Sequence, residues 1–402
     1  MTRKLPWGTA YFTELGERVE KRWIAAAYDD AALPPIAEEE LRRTPPHEHV
    51  SPWELTQLGR NPGTMPEQGS AGFGQPPLAV WGSERMYIEV LYWLQATTAI
   101  HQHSFSGAFA VLEGSSLHTQ YRFRPDTKVA ADLHIGHLAW TSSELLTRGS
   151  IHQIKSGPNF IHALFHLDHP SVSVVVRNYE DVGAAPQLGY FPPGVGVEPF
   201  VEPKLERALE LYKMLVDIGR VREAEQIVAG IVNHGDLMAT YLVLSAIGPS
   251  APEQAIRSRV HDRARKRYGA VVDKLVEAIS AHGEAQRVNA LRSKVTDPDL
   301  RYLLALLLVV PTPAALRRLI TERAPHKDFV TTVMRGLSAL GPIDAFPFPL
   351  DAPQLRVIEL MMRGKTLSAI KREVPNAAHL HDRAAASPYI ARLVSAGRKH
   401  RV

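Results

Sequence analysis

The chain contains no cysteine. That absence excludes disulfides, thiolate metal sites and cysteine nucleophiles together. Any metal must be held through His, Asp or Glu, which suits iron, manganese, zinc, copper or nickel. Long hydrophobic runs are also missing: no apolar stretch reaches the roughly 18 residues a membrane-spanning helix needs. The opening "MTRKLPWGTAYF" has no apolar core of the kind a secretory leader carries. The expectation is a soluble, cytoplasmic protein without a membrane partner.

What is present is ordinary globular composition: 402 residues, 45% hydrophobic and 22% charged, enough for two or three domains. The net charge of +4 hides an asymmetry. Residues 1–200 hold 15 Lys/Arg against 21 Asp/Glu, and residues 201–402 hold 31 against 21. In the basic stretch "RSRVHDRARKR" (257–267) helical spacing spreads the charges around the helix with no interleaved aromatics. The reading is a solvated helix surface, and a nucleic-acid partner is not expected.

Periodicity divides the chain. Residues 11–29 have the apolar spacing of one helix. From about 32 to 80 Pro and Gly are frequent, which reads as a loop with short helical pieces wrapping a larger body. A His-x-His pair at His47 and His49 falls there, between prolines, and reads as a chance occurrence. From 86 to about 178 the period becomes two, with seven short strands separated by turn residues, the pattern of a small all-β barrel or sandwich. "DVGAAPQLGYFPPGVGVEPFVEP" reads as a linker. After Pro203 the pattern is helical almost to the end, and several helices start after Ser, Thr, Asp or Pro. The expected fold class is therefore α+β and multidomain: a small antiparallel β-barrel followed by an all-α helical domain. The domains fall at 1–85 (helix and wrap), 86–182 (barrel), 183–202 (linker) and 203–402 (helices). No fixed repeat period is found in the helical part.

The chemistry sits in the barrel segment. In "TTAIHQHSFSGAFAVLEGSS" (97–116), His101 and His103 are two apart on a strand and share a face, the way a strand offers two imidazoles to one ion. In "RGSIHQIKSG", His152 follows a glycine turn. In "NFIHALFHLDHP", His162, Leu164, His166 and Asp168 share one face opposite an apolar one, so the polar face is either solvated or lines a wet pocket. His118, His134, His137 and His169 lie near turns or strand ends and read as surface residues. Glu113, beside Gly114, reads as exposed. Trp93 and Tyr121 are candidates to line the barrel.

These segments resemble the cupins. His101-Gln102-His103, three residues, Gly107, six residues and Gly114 match the first cupin motif, with Gly107 where the family has a glutamate ligand and Gln95 where it has a glycine. Gly149, two residues and His152 match the core of the second, with Thr147 and Ser156 in place of its proline and asparagine. The resemblance covers roughly residues 86–178 and implies a jelly-roll-like barrel with a metal held by His101, His103 and His152. Cupins that lack the glutamate and keep three histidines resemble the thiol dioxygenase branch. There a Ser-x-His-x-Tyr run follows the third ligand. "LFHLD" occupies that place, with Leu164, His166 and Asp168 at its serine, histidine and tyrosine. The family's substrate-carboxylate arginine would lie upstream, but "SAGFGQPPLAV" carries none.

The resulting expectation is a non-haem Fe(II) oxygenase acting with dioxygen on a small polar metabolite such as an amino acid or its derivative. Zinc, manganese or nickel are the other metals the site would suit. Three neutral imidazoles on one face of an octahedral ion leave three positions for substrate and dioxygen. His101, His103 and His152 would hold the metal, with His162 as a fourth or substitute ligand. His166 and Asp168 would act as proton shuttle or substrate anchor. Two other classes stay open: a metal-dependent isomerase or lyase without oxygen chemistry, and a ligand-sensing or scaffolding cupin whose helices bind a partner. The helical domain could close the barrel mouth, mediate homo-oligomerisation or carry a second activity.

Overall fold

In a computed structural model the described residues are 7–69, 74–94, 99–128, 133–198, 202–291, 294–340 and 349–398; Gln95 lies outside them. The period-two segments form strands: β1 (Pro77–Gly82), β2 (Met86–Trp93), β3 (Ile100–His101), β4 (Gly107–Glu113), β5 (Ser115–Lys128), β6 (Leu133–Thr147), β7 (Ile151–Ile154), β8 (Ile161–His166), β9 (Ser171–Asn178), β10 (Gly189–Phe191) and β11 (Val195–Val197). One sheet has the order β1-β2-β9-β4-β7. The second, β10-β11-β6-β5-β8-β3, closes on itself because β3 pairs with both β8 and β10.

Two expected boundaries differ from the structure. The segment expected to be a linker, 183–202, supplies β10 and β11, which pair with β3 and β6. Three-residue strands carry too little alternation to be seen locally, and their partners are some 60 or more residues away. Likewise β1 falls within the part assigned to the N-terminal wrap and extends the first sheet from its edge.

Strand alternation sorts the side chains into layers. From the first sheet Leu91, Trp93, Phe109, Val111, Ile154 and Val175 point inward, where they meet Leu146 and Leu164 of the second. The opposite face of the first sheet (Ile88, Val90, Ala108, Ala110, Val172, Val174, Val176) is covered by α1 (Trp7–Ala25) and α2 (Leu33–Arg43), with α3 (Pro46–His49) and α4 (Pro52–Leu55) beside them. The wrap expected to be mostly loop thus holds an amphipathic helix, α2, begun by prolines at its first positions and buried along Leu33, Ile36, Ala37 and Leu41. His47 and His49 sit on α3. The His47 ring lies where a Cβ on Gly149 would come within 2.9 Å of it, so the turn before β7 admits only glycine there (φ +89°).

The outer face of the second sheet is covered by the C-terminal helices. These are α5 (Pro203–Asp217), α6 (Val221–His234), α7 (Leu237–Ala246), α8 (Ala251–Tyr268), α9 (Val271–Leu291), α10 (Pro298–Val309), α11 (Pro313–Arg323), α12 (Phe329–Leu340), α13 (Ala352–Met362), α14 (Leu367–Glu373), α15 (Ala377–Ala386) and α16 (Pro388–Gly397). Asp236, Asp297, Thr312, Asp351, Thr366 and Ser387 cap α7, α10, α11, α13, α14 and α16 through side-chain oxygens. Leu133, Ile135, Val195 and Val197 join one helical core, and Leu117, Phe165 and Leu167 join another.

Much of the basic excess is engaged within the chain. Arg392 donates to the carbonyls of Leu307 and Val310 at the end of α10, both at 2.6 Å. Arg267 donates to those of Val232 and Asn233 at the end of α6. Cations there satisfy helix carbonyls that have no partner inside the helix. In the stretch 257–267, Arg259 pairs with Glu225 and Arg263 bonds Asn233. Arg301, 1% exposed, joins helices to barrel by donating to the carbonyls of Val295 (2.6 Å), Leu167 (3.3 Å) and Asp168 (3.2 Å). Replacing Arg301 by Met fills similar space but strands those carbonyls, and should lower unfolding free energy by about 2–4 kcal/mol. A denaturant titration of the full chain checks this.

Candidate metal centre

β3 is only two residues long, and its single registered pair with β8 sets His101 opposite His162. His103 follows two residues later and bridges to Ser156. The donor nitrogens of His101, His103 and His162 lie within 4.8 Å of one another, and all three residues are buried. Their ring centroids are 4.5 Å (His101 to His103), 4.8 Å (His101 to His162) and 5.1 Å (His103 to His162) apart. His103 Nε2 and His162 Nε2 are 2.9 Å apart. Two metal–nitrogen bonds of about 2.1 Å at right angles put their nitrogens about 3.0 Å apart, against about 3.4 Å for a tetrahedral angle. The spacing fits neighbouring ligands on an octahedral ion.

The electrostatics fit as well. Burial pushes the His101 pKa below the ordinary histidine value. It pushes those of His103 and His162 well below, where the neighbouring imidazoles add to the effect. All three are neutral at pH 7, the form that ligates. His101 Nδ1 is 2.7 Å from the carbonyl of Ala99 and donates to it, which leaves the lone pair on Nε2. The donor set suits a divalent first-row metal.

The triad opens on a narrow cavity of about 50 Å³, lined also by Glu89, Leu91, Trp93, Phe105, Phe109, Leu164 and Arg177. That is room for a few waters or a short metabolite. Arg177 lies 3.1 Å over the Phe105 ring and donates to the carbonyls of Asn178 and Tyr179. Its remaining nitrogen is 4.0 Å from Glu89. The cavity thus joins three imidazoles to a guanidinium, the side chain suited to a carboxylate.

The structure departs from the expected site at several residues. His152, expected as third ligand, lies on β7 of the other sheet and groups with His118 and Glu144; the place beside His101 and His103 is taken by His162. His118, expected on the surface, is 1% exposed. β5 continues through it, and its cross-strand neighbours are Glu144 and Leu164, so it faces inward. His166 is not in the cavity lining. It stacks on Trp93 at 4.3 Å and bonds the hydroxyls of Ser116 and Ser171, so it backs the wall. Asp168 lies beyond the end of β8 and accepts from Ser115 at 2.6 Å. Leu164 and Trp93 do line the cavity, whereas Tyr121 packs in a separate cluster with Tyr190. Gly107, at the position of the family's glutamate, admits no side chain: a Cβ there would lie 2.0 Å from the carbonyl oxygen of Val176. Arg177 stands on β9, downstream of the histidines, whereas the resemblance implies an arginine upstream of them.

No family model matches the chain, and no curated protein matches it. Solved structures similar to it include a cupin-2 domain protein from Shewanella frigidimarina (14% identity, 26% of this chain and 81% of that one, TM-score 0.18). A hydroquinone 1,2-dioxygenase from Sphingomonas sp. TTNP3 is similar at 10% identity, over 28% and 70% of the two chains, with a TM-score of 0.22. A DMSP lyase from Ruegeria pomeroyi is similar at 14% identity, over 41% and 91%, also with a TM-score of 0.22. The β domain is a barrel of two facing antiparallel sheets with the histidines between them. Among the described residues no helix is long and apolar enough to cross a membrane.

Glu89 offers a test of the cavity's electrostatics. Burial raises its pKa above the ordinary glutamate value, with Arg177 opposing. The folded state therefore holds this proton at pH values where the unfolded state has released it. The group's stabilising contribution is present below about pH 4.5 and is lost as pH rises through the raised value. Glu89→Gln should remove that part of the pH slope, read as the difference between wild-type and variant urea curves from pH 4 to 8.

Proposed function

We propose that the protein is a non-haem Fe(II) oxygenase of cupin fold, with iron held by His101, His103 and His162, acting with dioxygen on a small anionic metabolite such as an amino acid or its derivative. The supporting observation is that one narrow, buried cavity contains three neutral imidazoles and the Arg177 guanidinium. When bound, the metal supplies open coordination positions for substrate and dioxygen. The chain's own groups do the rest. Arg177 binds the substrate carboxylate, Glu89 receives a neighbouring ammonium or hydroxyl, and Phe105, Phe109, Leu91 and Leu164 exclude water. Trp93, held by Ser173 at 3.0 Å and by the stacked His166, keeps the wall in place. On this reading His166 and Asp168 support the site and do not touch substrate.

The test is the metal content of anaerobically purified protein together with oxygen uptake on a panel of small amino and hydroxy acids. Near-stoichiometric iron is expected, lost in His162→Ala and kept in His152→Ala. Arg177→Met should raise KM for the active acid at least about 10-fold, the worth of roughly 1.4 kcal/mol of binding, with the iron unchanged. Stoichiometric zinc, manganese or nickel without oxygen uptake would move the chemistry to a lyase or isomerase. No metal after Fe(II) reconstitution would overturn the enzyme reading.

A further inference from the structure

The histidine cluster does not end at His162. His162 Nδ1 is 3.0 Å from Nε2 of His118, and His118 Nδ1 is 3.2 Å from Glu144 Oε1. A carboxylate only accepts, so the direction of the chain follows from its outer end. His118 Nδ1–H donates to Glu144, and His118 Nε2 then holds the lone pair. His162 must donate Nδ1–H to that lone pair. Its own lone pair therefore falls on Nε2, the nitrogen that faces His103 Nε2 at 2.9 Å. The reverse direction would put a proton on His162 Nε2 and close the metal position.

We propose that Glu144 acts through His118 as a positioning residue, setting the His162 tautomer and with it the metal affinity of the buried triad. This rests on the reading of His101, His103 and His162 as a metal site. The Glu144 side chain is 47% exposed while that of His118 is fully enclosed, so the relay runs from the barrel surface to its interior. Each link sits on a registered strand pair. His118 is opposite Glu144 between β5 and β6, and Gln120, two residues along the same face, is opposite His162 between β5 and β8. The strands, not a loop, hold the three groups in line.

A competing use of the same residues exists. His118, Glu144 and His152 bring donor atoms within 4.8 Å, as a second cation site would. The two uses exclude each other. A cation on His118 Nδ1 displaces the proton bound for Glu144, leaves N–H on Nε2, and reverses the chain toward His162. The short contacts of 3.2 and 3.0 Å along the relay, against 3.9 Å from His152 to Glu144, favour the relay.

Cobalt(II) affinity, read by chelator competition on the full chain, and nitrogen-15 NMR of the metal-free protein test it together. His162 should be protonated on Nδ1 in the wild type and of mixed tautomer in Glu144→Ala. Cobalt affinity should fall about 10- to 100-fold in Glu144→Ala, fall less in Glu144→Gln, whose amide oxygen still accepts, and stay within about twofold in His152→Ala. Unfolding curves check that the variants are folded, and Glu144→Gln carries the test if Glu144→Ala is not. Equal affinity in wild type and Glu144→Ala, an Nε2-protonated His162, or a second cobalt ion lost in His152→Ala would each overturn the relay and leave the triad standing. A wild type that binds no cobalt would remove the metal reading and the relay with it.

Discussion

His101 and His162 meet across one registered pair, between a two-residue strand and the strand that carries the third histidine. That pairing does two jobs. It links β3 to β8, which with the β3–β10 pair closes the second sheet, and it brings imidazoles from distant parts of the chain within ligand distance of one another. Because the side-chain period of a strand is two, a slip of one residue would turn His162 to the opposite face, among Tyr121, Leu188 and Tyr190, and bring Ala163 or Ile161 into the cavity. The cavity, its three neutral imidazoles and the His118 contact all depend on that register.

The helices make the register costly to lose. Leu117 precedes His118, and Phe165 and Leu167 flank His166; all three point into the C-terminal helical core. The strands that carry the inward histidines are thus held from behind by apolar contacts that a slip would break. On the other sheet α1 and α2 do the same for the strands bearing Trp93, Phe109 and Arg177. A barrel covered on both sheets keeps its histidines buried, and burial keeps the imidazoles neutral. The helical half therefore has a physical part in the site without contributing a residue to its lining. Its arginines serve that role too: Arg301 fastens α10 to the end of β8.

The expected strands, the helical half and the His101–His103 pair were readable because each rests on local periodicity. The choice between His152 and His162 was not. Motif spacing favours His152, but spacing cannot say that β7 pairs with β4 in the sheet opposite His162. His118 was misplaced for a similar reason. "SSLHTQYRF" reads as a strand, yet which face is inward depends on pairing with β6 and β8. Gly107 shows the reverse case. Its departure from the family's glutamate was visible in the chain, while its cause, the close passage of the Val176 carbonyl, exists only in the fold.

Alone, the sequence determined the metal-ligand chemistry open to this protein and the division into a strand-rich half and a helical half. Residue types and hydrophobic periods are local properties, and absent cysteines remove every thiolate donor. Only the tertiary structure decided which histidines converge, that Arg177 shares their cavity, and that Glu144 reaches them through His118. Those facts depend on strand order and register between segments far apart in the chain, and neither is written in any short stretch of it.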